Sequence, residues 1–300
     1  MSRSQTASGS ESTSAATGTV PSRTCCSRIR VLQQPARFHE NTCFTLNPGP
    51  PDAPLVLLVH GVGLDQGMWH PWVEHLGRDF SLVTYDLYGH GRSGDPPGAR
   101  NMVDFVDQVD ELVRHIGTDR FVLAGFSLGA MISQAYASLR PGQLSHLVLL
   151  HGAYRRNEEQ CERVRERYRA ARERGPSSNI EQALKRWFTD PYRIAHPEAM
   201  ARLREMFEGH GEGYLKAYRL FSHAESEMRK FRLSRVDCPA LVLTGSDDVG
   251  STPAMSERLA ADLPRAGLIV NPGHRHMAPV EFAEMLCGQV KSFLCSGNPP

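Results

Sequence analysis

The chain has 300 residues, 40% of them hydrophobic and 22% charged, with a formal net charge of +1. That length suits one large α/β domain, or one domain carrying an insertion, with a sizeable core. So even a charge balance argues against nucleic acid or an anionic membrane as a partner. No apolar run reaches the roughly 18 residues of a membrane span. Seven cysteines without a C-x-x-C pair argue against a disulfide framework or zinc site and fit a reducing, cytoplasmic setting.

Residues 1–30 hold eight Ser, five Thr, four Arg and one Glu. Such a segment buries too little apolar surface to offset its ordering entropy and reads as a disordered extension. It has no secretory h-region, and its likeness to a transit peptide is superficial. From Phe38 the chain alternates. Apolar strands are predicted at 55–60, 81–86, 121–125, 146–151, 240–244 and 267–271, in runs typical of strands covered on both faces. Phe105, Val109, Leu112, Val113 and Ile116 form one stripe of a helix. This alternation predicts a three-layer α/β domain on a mostly parallel sheet, with helices on both faces and ligands at the carboxyl ends of the strands.

Between His151 and Ala240 no strand is evident. Helices are predicted over 155–174, 180–188, 198–209 and 213–222. The core is therefore expected at 31–151 and 237–300, with 152–236 a helical insertion lying over the site as a cap. The Arg/Glu-dense run 155–174 reads as a solvated helix face. Arg155 and Arg156 are grouped with it, and pairing to a substrate carboxylate is the competing reading.

Gly125-Phe126-Ser127-Leu128-Gly129 sits between a strand and a helix. Small residues on either side relieve a sharp turn that exposes the central hydroxyl beside helix N–H groups, the geometry of a nucleophile elbow. A plain helix-capping serine is the competing reading. A serine nucleophile needs a base and an orienting acid. Asp248 follows the strand ALVLTG and is placed to reach back over the sheet edge, whereas its neighbour Asp247 is expected to face solvent or cap the turn. Of the two histidines after the last strand, His276 is expected to be the base, and His274 to stand behind it or at the surface. Val62 and Leu128 N–H groups are the expected oxyanion donors. Gly61-x-Gly63 with Asp86 also resembles a dinucleotide fingerprint, but position 66 is Gln where the third glycine belongs. Trp69, Phe126 and Trp187 are the expected substrate contacts. Met131, Phe188 and Tyr192 are weaker candidates, with core packing the alternative for all six. His60 reads as structural. No metal-ligand spacing is evident and no cofactor is implied.

HGVGLDQGMW, YDLYGHGRSG, GFSLGA, GSDDVGSTP and GHRHMAPVE together resemble the landmarks of the α/β-hydrolase superfamily, from about Phe38 to Leu294. KRWFTDPYR and GYLKAYRLF resemble the cap of 3-oxoadipate enol-lactonase-like hydrolases. Family members usually show Gly where this chain has Arg275. Asp at the elbow marks dehalogenases and epoxide hydrolases, and this chain has Ser127. The resemblance implies an α/β-hydrolase fold and a serine hydrolase acting on a small carboxylic ester or lactone. C–C bond hydrolases and cofactor-free perhydrolases share the same machinery, and a non-catalytic receptor or a dinucleotide-binding oxidoreductase is a remote alternative.

Overall fold

The computed structural model describes residues 42–297, so the expectation for residues 1–30 lies outside them. The strands are β1 (Phe44–Asn47), β2 (Leu55–Val59), β3 (Ser81–Tyr85), β4 (Phe121–Phe126), β5 (Leu144–Leu150), β6 (Ala240–Gly245) and β7 (Ala266–Asn271). They form one sheet in the order β1-β3-β2-β4-β5-β6-β7. Only β1 runs antiparallel to its neighbour. The strands β4 and β6 are buried at every position, which is why they read as unbroken apolar runs. The strand β1 gave no such signal because it is a short edge strand, FTLN, with Phe44 alone buried.

Alternate strand residues feed two cores. Leu57, Val59, Val83, Leu123, Leu147 and Val242 point to one, together with residues of α2 (Met102–Ile116) and α3 (Leu128–Leu139). Val56, Leu58, Leu82, Val122, Val148 and Leu241 point to the other, with α1 (His70–Leu76) and the last helix, α12 (Ala283–Ser296). The helix α2 shows how the sequence sets an element. Asn101 and Asp104 form a reciprocal capping box at its start, and Gly117, at φ 78°, ends it. Its stripe of Phe105, Val109, Leu112 and Val113 is buried, each side chain worth roughly 1.5–3 kcal/mol of transfer free energy.

Between β5 and β6 lie α4 (Glu158–Arg174), α5 (Ile180–Trp187), α6 (Asp190–Ala195), α7 (Pro197–Glu208), α8 (Glu212–His223) and α9 (Glu225–Met228). Four of these match the expected stretches; α6 and α9 were not foreseen. Pro191 occupies the first turn of α6, where Thr189 accepts from the Tyr192 N–H and proline, elsewhere a helix breaker, is well tolerated. After β6 come α10 (Pro253–Asp262) and α11 (Ala278–Glu281). No described helix is long and apolar enough to cross a membrane.

The loop after β2 is braced by buried histidines. His60 Nδ1–H donates to the Gly61 carbonyl (2.8 Å), and its Nε2 accepts from the Leu87 N–H (2.9 Å). Gly63 donates to His90 Nε2 (3.0 Å), and its carbonyl accepts from His210 (3.0 Å). Asp86, the residue of the dinucleotide-like pattern, instead accepts from the Gln66 and Arg92 N–H groups at 2.8 and 2.9 Å. These roles require His60 and His90 to be neutral. Burial pushes both below the ordinary histidine value; Asp86 partly offsets this at His60, while His60 and His210 add to it at His90.

A pH dependence of stability follows. With folded values below the unfolded value of about 6.5, the unfolded chain binds more protons once pH drops below 6.5. Stability should therefore fall as pH falls from 7.5 to 5.5, each such histidine adding up to about 1.4 kcal/mol per pH unit. Urea unfolding across that range should show the decline, with a shallower slope in His90→Gln, whose amide oxygen replaces the Nε2 acceptor. Identical slopes in the two proteins would contradict this account of the loop.

Candidate active site

The strand β4 ends at Phe126 and α3 begins at Leu128, leaving Ser127 alone in the turn at φ 55°, ψ −112°. A non-glycine residue held there is strained. The turn closes because a Cβ on Gly125 would strike the Gly129 carbonyl, and one on Gly129 would strike the Val59 carbonyl. Ser127 makes no side-chain capping bond to α3, so the helix-cap reading does not account for it. Its Oγ lies 3.1 Å from His276 Nε2.

Asp248 stands just past β6 and is 2% exposed. Its Oδ1 accepts from the Gly250 and Ser251 N–H groups at 2.8 and 2.9 Å. Its Oδ2 accepts from His276 Nδ1 at 2.7 Å. Burial pushes the carboxyl up, but the charge and hydrogen bond of His276, with a second hydrogen bond from His151, outweigh it and hold the group well below the usual carboxylate range. The fold thus brings Ser127, His276 and Asp248 into one chain of contacts. Asp247 is exposed and accepts from Ser246 Oγ. His274 is not a surface residue. It is 6% exposed and stacked on Phe282, ring centroids 3.8 Å apart, and its carbonyl accepts from the Asp247 N–H.

Sequence reasoning missed one participant. His151, at the end of β5, donates from Nδ1 to the same Asp248 Oδ2 at 2.8 Å and is 1% exposed. A histidine closing an apolar strand carries no local sign of that contact, since its partner is 97 residues away. His151, Asp248 and His276 place their potential ligand atoms within 4.8 Å of one another. At 2.7–2.8 Å from one carboxylate oxygen, both Nδ1 atoms are engaged as hydrogen-bond donors.

Gly61, Val62 and Leu64 from the loop after β2 line a cavity of about 90 Å³ with Ser127, Phe126, Asp248 and His276. The Val62 and Leu128 N–H groups make no hydrogen bond to another described residue. Trp69 corrects the sequence reading. A turn capped by Asp65 carries it away from the cavity, and it is wholly buried, edge-on to Trp72 at 5.2 Å. Phe126 and Trp187 do line the cavity. Met131 lines a different one, Phe188 stacks on Tyr192 at 5.1 Å, and none of these three is among the residues lining the Ser127 cavity.

The far wall comes from the helical segment and holds Val164, Phe207, Tyr218 and Phe221 among three arginines: Arg156, Arg167 and Arg186. Arg155 is exposed and pairs with Asp262 at 2.7 Å. Arg156 is not a solvated helix charge. Its side chain is 2% exposed, 3.7 Å from Glu225, with Nε unpartnered among the described residues. Arg167 and Arg186 have no acidic partner within 4.0 Å among the described residues. Burial, and then the charge of Arg167, pushes the Arg186 guanidinium below its ordinary value. Arg275, in place of the family's usual glycine, donates to the Lys185 and Phe188 carbonyls and to Asp190, all within 3.0 Å. It thereby ties the His276 loop to α5 and α6.

The sequence pattern of the α/β-hydrolase fold matches residues 54–283. The (E)-2-((N-methylformamido)methylene)succinate hydrolase of Acinetobacter baylyi is 30% identical over 243 residues, covering 80% of this chain and 90% of that protein. The crystal structure of the enol-lactonase from Burkholderia xenovorans LB400 aligns with a TM-score of 0.76 at 26% identity, over 85% of this chain and 96% of that one. A thermophilic esterase from Thermogutta terrifontis, solved with malate bound, gives 0.77 at 27% identity, over 91% and 98%. With its sheet order, its elbow and this match over most of its length, the chain belongs to the α/β-hydrolase family.

Proposed function

We propose that this hydrolase cleaves a small carboxylic ester or lactone through an acyl-enzyme on Ser127. The observation carrying the reading is the unbroken contact chain from Ser127 Oγ to His276 (3.1 Å) and from His276 to Asp248 (2.7 Å). His276 Nε2 takes the hydroxyl proton as Oγ bonds to the carbonyl carbon, and Asp248 fixes the Nδ1–H tautomer that leaves Nε2 free to do so. The oxyanion forms against the Val62 and Leu128 N–H groups, the latter at the positive end of α3. Collapse breaks the bond to the leaving oxygen, which receives the proton from His276. Water, activated by the same imidazole, then adds to the acyl carbon and releases the acid. Residues 152–236 act as a cap closing this cavity, with Trp187 and Phe126 against the substrate.

The substrate carries a carboxylate in its acyl part. Three guanidiniums face the cavity, and the one acid lining it among the described residues, Asp248, already has its oxygens engaged by N–H donors. Such a wall favours an anion that pairs with the planar guanidinium fork. The Acinetobacter relative is named for a succinate derivative and the Thermogutta esterase was solved with malate; both compounds bear carboxylates. A cavity of about 90 Å³ suits a short acyl chain.

On a p-nitrophenyl ester, Ser127→Ala, His276→Ala and Asp248→Asn should each lower kcat by about 10⁴-fold or more. A Ser127→Ala protein retaining a tenth of the rate would rule out the nucleophile. The carboxylate is tested by comparing p-nitrophenyl hemiglutarate with p-nitrophenyl butyrate. In Arg167→Met and Arg186→Met, the acid-to-neutral ratio of kcat/KM should fall about 10- to 100-fold, the worth of a charged hydrogen bond. An unchanged ratio would mean the arginines do not read the acyl group.

A further inference from the structure

Asp248 holds two histidines on one oxygen. His276 Nδ1 and His151 Nδ1 lie 2.7 and 2.8 Å from the same Oδ2. The His151 ring stands edge-on to that of His276, centroids 5.8 Å apart at 87°, with Phe126 packed against both. The backbone is built to deliver it. His151 donates its N–H to the Leu243 carbonyl at 2.8 Å and then turns through φ 50°, a left-handed conformation that a strand end does not need. Among non-glycine residues, Asn, Asp and His adopt it most readily.

We propose that His151 is a positioning residue for the hydrolysis described above, acting through Asp248 and resting on that reading of the site. Two effects follow from a second donor on Oδ2. The carboxylate plane is fixed from both sides, so the His276 ring is oriented by a group that cannot itself rotate. The electron density on Oδ2 is also shared between two N–H bonds, so Asp248 stabilises the His276 imidazolium less than a carboxylate facing it alone would. A softer counter-charge keeps His276 ready to pass its proton to the leaving group. His151 does this as a neutral donor, for burial disfavours its cation although Asp248 draws the other way.

The titratable groups around this oxygen are His151 from β5 and His276 and His274 from the loop after β7. Gly250 and Ser251 N–H groups from its own loop complete the carboxylate's donors. Across the cavity stand Arg156, Arg167 and Arg186.

The test pairs two substitutions with a measurement on the unaltered protein. In His151→Leu the second donor is gone; kcat for a p-nitrophenyl ester should drop about 10- to 100-fold, the usual cost of a slightly misplaced group. The acid limb of kcat/KM should move up by about half a pH unit or more, because the lone carboxylate now favours the imidazolium. In His151→Asn, the amide nitrogen occupies nearly the place of Nδ1 and tolerates the same φ, so both quantities should return to within about 3-fold and 0.2 units of wild type. A His151→Leu protein that loses rate with an unmoved limb and is not rescued by Asn would reduce His151 to packing and overturn the proposal. ¹⁵N NMR of the wild-type histidines supplies a readout that depends neither on turnover nor on a variant's folding. His151 should be neutral and protonated on Nδ1 from pH 5.5 to 8, and a bare Nδ1 would overturn the proposal even if the ester reading stands. Absence of esterase activity with the Nδ1–H tautomer present would instead count against the hydrolytic reading alone.

Discussion

The carboxylate of Asp248 is the point on which the rest of the site depends. It is almost fully buried and ionised, a combination that is unfavourable unless every lone pair finds a donor. Here four N–H groups converge on it, two from its own loop and two from histidines on separate elements. A buried anion so satisfied is a rigid reference. Through it the end of β5, the turn after β6 and the loop after β7 are fixed relative to one another. Ser127 is fixed separately, by the glycines that let α3 approach β2.

The core of the fold was legible because parallel strands covered on both faces must be apolar throughout, and helices facing one layer must carry one stripe. The strand β1 escaped notice because four residues at an edge, three of them half-exposed, produce neither pattern. The helix α6 was hidden behind Pro191, which ends a helix elsewhere but starts one in its first turn. Ser127, Asp248 and His276 could be picked out because each follows a strand end at an offset set by local turn chemistry, and the structure puts His276 in hydrogen-bond contact with the other two.

What could not be read was whatever depends on contacts between distant segments. Trp69 looked available beside the loop after β2, yet a short turn sends it into the core. Arg156 looked like one more charge in an Arg/Glu run, yet it lies beneath that run and faces the cavity. Both sit next to loops whose path is set by tertiary packing, not by residues close in sequence. His151 is the clearest case, since a strand-terminal histidine acquires meaning only when Asp248 arrives from β6.

The central claim is that Ser127 Oγ is the nucleophile, activated by this relay. The most direct measurement is peptide mapping by mass spectrometry after exposure of the protein to a fluorophosphonate at neutral pH. The account predicts one phosphonyl adduct per chain, carried by the peptide containing Ser127. An unmodified Ser127 peptide, or an adduct on another residue in its place, would contradict it.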